Sequence, residues 1–299
     1  MHLDPAKLRT LEAVHLLGSM TAAAAAPGYT TEAVSQQMAA LEKSLKVDLF
    51  EQVGRRVQLT DAGTVLFEYA GRILALEQEA QEALQAADHE IVAHVRIGVF
   101  GTAAAELLPP ALERLQQLHI GLRLRTVEVD VDEATAAVDS GAVHVAFGVD
   151  YSDAPIPRRP SVDLRPLKSE RFRLAVSARH ASTVRSASLL DFAGDGWILP
   201  PANTQYGLAM RHACRRAGFE PIVEHEVTDT ASSLAMVAGN LGIAPVTDLM
   251  LALRGSGIHT IELQEEIRRE LVLAYRGQPE PQPGVKTVID VISESVAAS

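Results

Sequence analysis

One cysteine, Cys214, stands in a chain of 299 residues. A single thiol excludes an intrachain disulfide. No run of 18 apolar residues occurs, so nothing in the sequence spans a membrane. The opening MHLDPAKLRTLEAV lacks a basic stretch followed by an apolar one, which argues against a secretory signal and for the cytoplasm. Positive charge is in deficit, 27 Lys and Arg against 38 Asp and Glu, a formal net charge of −11. Such a chain gains nothing from bulk attraction to phosphate, so any nucleic-acid binding must come from local placement. Catalytic signatures are also missing: no G-x-S-x-G, no Walker loop, no G-x-G-x-x-G and no zinc-finger spacing. His89 and His94 are five apart, off a common helical face, so no metal site is expected there. No cofactor is implied. Hydrophobic content of 47% suffices for a substantial core, and the length suits one large domain or two to three small ones.

The stretch Thr21–Leu59 carries the strongest pattern. Val34, Met38, Leu41 and Leu45 recur at spacings of 4, 3 and 4, one apolar stripe at helical period. Thr30 or Thr31 can cap that helix. Glu32, Ser35, Gln36, Ala39 and Lys43 fall away from the stripe, and Gln is a bidentate partner for adenine in the major groove. Before it, Thr21–Ala26 reads as a short alanine helix opened by a Thr cap and ended by Pro27-Gly28. Asp4-Pro5 opens a first helix whose inner stripe is Leu8, Leu11 and Val14, with His15 at its edge. After the polar-faced helix, Leu49-Phe50 and Val57–Leu59 read as short strands around Gly54-Arg55-Arg56, a basic turn suited to phosphates or the minor groove. Helix, tight break, helix and basic turn are winged helix-turn-helix geometry. On the residues alone, a protein-binding helical module remains the alternative.

The ordered segments through AVSQQMAALEKSLKVDLFEQVGRRVQLTDAG resemble the N-terminal domain of LysR-type transcriptional regulators. The match covers about residues 3–90 in motif detail and the rest in layout. It departs where many members carry Pro for Glu32, Arg for Gln36 and Leu for Pro27, changes that bear on the DNA sequence read. The resemblance implies a regulator that binds dyad sites on double-stranded DNA as a dimer or tetramer. It also implies a small-molecule effector domain and, as a further partner, RNA polymerase. Thr31, Glu32, Ser35 and Gln36 would read bases, Thr30 would cap, and Lys43, Arg55 and Arg56 would hold phosphates or the minor groove.

From Thr60, a cap by its residue type, a proline-free helix is predicted to about Asp88. Ala62, Leu66, Tyr69, Ile73, Leu76, Ala80, Ala83 and Ala87 alternate at 4-3 spacing, a heptad seam that predicts a two-stranded coil with Leu66, Tyr69, Ile73 and Leu76 at its centre. His89–His94 then forms a hinge.

Beyond Val95 the period changes. Strands at Val95–Phe100, Leu122–Val129 and Val143–Val149 alternate with helices at Ala103–Leu118 and Glu133–Val138. Arg158-Arg159-Pro160 reads as an exposed crossing. A second set follows: strands at Arg171–Ser177, Trp197–Leu199, Ile222–Thr228 and Ile243–Val246, with helices at Leu189–Phe192, Tyr206–Ala217 and Thr230–Ala238. Leu271–Tyr275 and a helix at Val285–Val296 return to the first set. Alternation implies parallel sheets with right-handed crossovers. The fold class is therefore α/β overall: a winged helix-turn-helix at 1–60, a linker helix at 61–90, and a two-lobed domain like a periplasmic binding protein at 91–299. Lobe I takes 91–160 plus 265–299, and lobe II takes 161–264.

Ligands in open α/β sheets sit at the carboxyl ends of strands, where helix N-termini offer free N–H groups. Gly101, Thr102 and Ala103, then Gly148, then Asn203 and Thr204, and finally Thr228 and Thr230 occupy such places. N–H groups and hydroxyls suit a small carboxylate or a neutral metabolite, although Asp229 opposes an anion if it points inward. Trp197 is expected in the core of lobe II. Cys214 has His212 at i−2, on a different helix face, so a structural thiol is expected rather than a nucleophile. His225, between Glu224 and Glu226, reads as a solvated edge. Two other functional classes stay open on these residues: a small-molecule binding protein with a weak DNA head, and an enzyme built on the two-lobed domain.

Overall fold

The computed structural model describes residues 3–24, 30–53, 56–87, 93–118, 121–180, 185–253, 256–278 and 280–298. The chain divides into two compact units, Met1–Glu90 with Asp139–Ala142 and Ile91–Val138 with Val143–Ser299.

In the first unit, helix α1 (Pro5–Leu17) starts where the Asp4 carboxylate accepts from the Ala6 N–H at 3.0 Å, and it stops at Gly18, whose φ of 69° is open to glycine without strain. Helix α2 (Met20–Ala23) begins earlier than the sequence suggests. The Ser19 hydroxyl, not Thr21, accepts from the Ala22 N–H and sets the start. The expected Pro27-Gly28 break lies outside the described residues. Helix α3 (Thr31–Leu45) is capped by Thr30, whose hydroxyl accepts from the Ala33 N–H at 3.2 Å. Its stripe of Val34, Met38 and Leu41 is buried against Leu8, Leu11 and Val14 of α1. Each such side chain contributes roughly 1.5–3 kcal/mol by burial.

Strands β1 (Phe50–Val53) and β2 (Arg56–Leu59) pair antiparallel. The pairing starts one residue later than expected because Leu49 is drawn into the core. Its N–H is held at 2.8 Å by the Glu42 carboxylate, which also takes the Phe50 N–H. Helix α4 (Asp61–Ala87) follows the Thr60 cap, whose hydroxyl accepts from the Gly63 N–H at 3.0 Å. A Cβ at Gly63 would stand 2.0 Å from the Leu49 carbonyl oxygen, so the glycine is what lets α4 start directly over the wing base.

The second unit has two lobes. Strand β3 (Ala93–Val99) leads into a π-helical turn at Ala103–Leu107 and helix α5 (Leu108–Gln117), so the expected single helix is two joined pieces. Strand β4 (Leu122–Glu128), a 3-10 turn at Val131–Glu133, helix α6 (Ala134–Asp139), strand β5 (Val145–Asp150) and strand β6 (Val162–Arg171) continue lobe I. The chain then crosses at Phe172 into lobe II. Strand β7 (Arg173–Ser177), the short β8 (Ser186–Ala187), a 3-10 turn at Leu189–Phe192 and strand β9 (Gly196–Leu199) come first. Helix α7 (Gln205–Arg216), strand β10 (Ile222–Glu226), helix α8 (Thr230–Ala238), strand β11 (Ala244–Val246), helix α9 (Asp248–Leu251) and strand β12 (Ile258–Leu263) complete that lobe. Strand β13 (Arg268–Arg276) and helix α10 (Pro283–Ala297) return to lobe I.

The sheet of lobe I has the order β4-β3-β5-β13-β6. Two features of this sheet depart from expectation, and in lobe II β7 is likewise antiparallel to both β11 and β12. The β3, β4 and β5 strands are parallel, but β13 runs antiparallel to both neighbours, so the sheet is mixed. Strand β6 belongs to lobe I, which moves the crossing from residue 161 to Phe172. It is a half-exposed edge strand carrying Pro166 at a bulge opposite Leu271 and Val272, and both charge and proline hide it from a hydrophobic pattern. In lobe II, β11, β7, β12 and β8 form one sheet, and β9 with β10 is joined to it through the Trp197–Ile243 bridge. The crossing strands meet where the Phe172 N–H donates to the Ile267 carbonyl at 2.9 Å.

Candidate functional sites

On α3, Thr30, Glu32, Ser35, Gln36 and Lys43 are exposed and Thr31 is half-buried. Lys43 is seven residues beyond Gln36, on the same face and roughly 10 Å along the axis. The neighbouring Gln37 is turned inward, accepting from the Thr10 hydroxyl at 2.7 Å, which leaves Gln36 as the outward amide. The Thr30 hydroxyl is committed to its cap. Arg55 lies outside the described residues, and Arg56 opens β2. Glu42, which ties the base of the wing to α3, has no signature in the apolar period and went unmarked in the sequence.

The expected seam on α4 divides. Leu66 and Ile73 pack, with the fully buried Ala70, against the core of their own unit. Tyr69 and Leu76 are exposed at 53% and 55%, together with Val65 and Leu84. Leu66 and Ile73 are thus spent on intramolecular packing, and the free apolar strip is rotated towards 65, 69 and 76. His15 sits at the edge of the same unit, its ring 4.5 Å from that of Phe67.

A cavity of about 350 Å³ lies between the lobes of the second unit. Gly101, Thr102, Thr204, Thr228 and Thr230 line it. Ala103 does not: it is fully buried in the core behind the first turn. Gly148 also lies elsewhere, with Ile156, Ala134 and Val272 packed 3.1–3.3 Å from where a Cβ would stand. Asn203 is exposed and outside the lining. Thr204 caps α7, accepting from the Gly207 N–H at 3.0 Å and donating to the Pro201 carbonyl at 2.8 Å. Gly207 is required there, because a Cβ would approach the Pro201 oxygen to 2.1 Å.

The sequence reading missed much of the lining. Glu128, Asp130 and Asp132 stand at and beyond the end of β4, Tyr151 follows β5, Tyr206 opens α7, and Arg269 lies on β13. The strand-end rule applied to β4 marks Asp130 and Asp132; nothing local marks Arg269. Tyr151 and Tyr206 stack at 6.1 Å with 7° between their planes, one ring from each lobe. Burial pushes the Tyr151 hydroxyl up to about 12, and it pushes that of Tyr206 up as well, so both remain protonated. Arg269 is 5% exposed and donates to Glu170 at 2.7 and 2.9 Å and to Thr247 at 2.8 Å. Arg173 and Arg211 do not enter the lining: Arg173 pairs with Asp248, and Arg211 with Glu226.

The remaining marked residues lie apart from this cavity. Cys214 is 1% exposed, and burial pushes its thiol up to about 12, the reverse of what a nucleophile needs. His212 contacts the Asp153 carbonyl instead. Trp197 is core, 1% exposed, donating to the Phe192 carbonyl at 3.2 Å. His225 lies on β10, the outermost strand of its sheet. Among the described residues, no helix is long and apolar enough to cross a membrane.

Known proteins share this arrangement. The family described as "Bacterial regulatory helix-turn-helix protein, lysR family" matches residues 5–64, and "LysR substrate binding domain" matches residues 89–297. The HTH-type transcriptional regulator TfdS of Cupriavidus pinatubonensis is 29% identical over 262 residues, 87% of each chain. The crystal structure of CbnR, a LysR family transcriptional regulator, has a TM-score of 0.70 at 23% identity, covering 98% of this chain and 99% of that one. Full-length CbnR complexed with its target DNA gives 0.69 at 23% identity, covering 98% and 100%. The chain belongs to the LysR family of bacterial helix-turn-helix transcriptional regulators.

Proposed function

We propose that this regulator reads dyad promoter DNA as a dimer or tetramer, through Thr31, Glu32, Ser35 and Gln36 of α3, with a small-molecule effector in the cleft between the two lobes. The outward polar row of α3, opposite a fully buried apolar stripe, carries this reading. Thr30 caps the helix, Lys43, Arg55 and Arg56 hold phosphates or the minor groove, and the exposed strip of α4 pairs two heads. Residues 1–60, 61–90 and 91–299 serve as head, linker and effector domain. We place its action in the cytoplasm, with RNA polymerase as a further partner, and assign it no catalytic step. Effector binding shifts the lobe arrangement only as far as the ligand prefers one arrangement to the other. Gln36→Ala is expected to change the preferred base at one position per half-site, a loss of about 1–3 kcal/mol in discrimination, in selection from a randomised DNA pool. An unchanged preferred sequence would place the reading face elsewhere.

A second reading is favoured by charge. The first 60 residues carry six basic and six acidic side chains, so the head has no net attraction for DNA. A small-molecule binder with a weak head would show uniformly low, salt-erased affinity in that same selection.

A further inference from the structure

We propose that the cleft takes a small organic cation, an amine protonated at neutral pH on an apolar or aromatic body, and not a carboxylate. This rests on the reading of that cleft as the effector site. Glu128, Asp130 and Asp132 of lobe I and Asp229 of lobe II line it. The only cationic side chain in the lining, among the described residues, is Arg269, and its charge is already taken by the equally buried Glu170. Four acidic residues thus line the cavity against one basic residue, which is already paired.

At two of the helix starts where an anion would ordinarily dock, N–H groups are already taken from within. At the start of α7, the Gln205 N–H donates to the Asp132 carboxylate at 2.9 Å, a link from one lobe to the other, and the Gly207 N–H donates to Thr204. At the start of α8, the Ser232 N–H donates to Asp229 at 2.7 Å. The starts of α7 and α8 therefore each carry a carboxylate on an N–H group that was expected to be free. The hydrogen bonds from Ser232 hold Asp229 below the usual carboxylate range, so it stays charged. Burial raises Asp132, opposed by the Gln205 N–H, and Asp130 and Glu133 add to the rise.

Thr102 gives independent evidence of a ligand. It is 3% exposed, lines the cavity, and its hydroxyl has no hydrogen-bond partner among the described residues. A buried hydroxyl left open in this way can accept from a ligand N–H or O–H. The stacked pair Tyr151 and Tyr206, with Phe100, Met250 and Leu253, supplies an apolar and aromatic wall suited to the body of the ligand. A metal ion is the wrong cation: among the described residues, no group of three or more His, Cys, Asp or Glu could hold one.

The test uses the full-length protein and matched pairs that differ only in the charged end: phenethylamine against 3-phenylpropanoate, tryptamine against indole-3-propanoate, and 1,5-diaminopentane against heptanedioate. Binding is measured by calorimetry and thermal shift, repeated on Asp130→Asn/Asp229→Asn and on Thr102→Val. Asn keeps the helix-capping chemistry of Asp, so the double variant folds. The expected result is that at least one amine binds, its acid partner does not, and the double variant weakens the amine at least tenfold. Binding of an acid that is lost in Thr102→Val would overturn the cation while leaving the cleft as effector site. Binding by no member, or amine binding untouched by every cleft variant, would overturn both.

Discussion

Arg269 shows how much one side chain holds. Its guanidinium joins Glu170 of the neighbouring strand to Thr247 before α9, and Glu170 also accepts from the Leu249 N–H at 2.9 Å. The two strands that cross between the lobes are thus pinned to lobe II at a point with almost no water. Removing one member of a buried pair leaves the other uncompensated, whereas replacing both with apolar groups costs far less. Arg269→Met is expected to destabilise the effector unit by about 3–5 kcal/mol, and Arg269→Met with Glu170→Met by clearly less, a non-additivity typical of contacting residues. Calorimetric unfolding of the full chain, followed at the effector-unit transition, measures both. Equal losses would mean that the pair does not act as a unit.

At the level of elements, α4 separates what a period can say from what it cannot. The 4-3 spacing marked a long helix with an apolar side, and the helix is there. It could not say which flank of that side the head would claim, because α1 meets α4 through residues some 60 positions away. Leu66, Ala70 and Ile73 went inward, and Val65, Tyr69 and Leu76 stayed out. Tyr69→Glu with Leu76→Glu is therefore expected to shift the full chain towards monomer in sedimentation velocity, with the head still folded. Leu66→Ala should instead lower the unfolding temperature and leave association nearly intact. If Leu66→Ala alone dissociated the protein, the seam would lie where the period first put it.

The same limit explains the rest. α1, α3 and the wing strands were legible because caps and stripes are local. Strand β6 was hidden by its charges and Pro166, and Arg269 finds Glu170 only across 99 residues. Five of the cavity's loop residues were marked by the strand-end rule, but the sign of its charge depends on which carboxylates turn inward, and that is a tertiary fact.

For the molecule as a whole, charge is unevenly spread along the sequence. The first 60 residues are balanced, so the entire formal charge of −11 resides in residues 61–299. A DNA-bound dimer must then hold phosphate against a repulsive remainder, with only six basic side chains in each head. Each phosphate neutralised on B-DNA contributes about 0.9 to the slope of log affinity against log salt. Arg55→Ala with Arg56→Ala removes two guanidinium groups per head and four per dimer. If all four hold phosphates, the slope should flatten by about 3.6, with affinity falling alike on specific and random DNA. Gln36→Ala, by contrast, should leave the slope where it was and change only the preference among sequences. Titrations of both variants across a salt series on one specific and one random duplex separate the two roles. A slope unchanged in the double arginine variant would move the phosphate contacts off the wing and onto Lys7, Arg9, Lys43 and Lys46, the other basic side chains in the head.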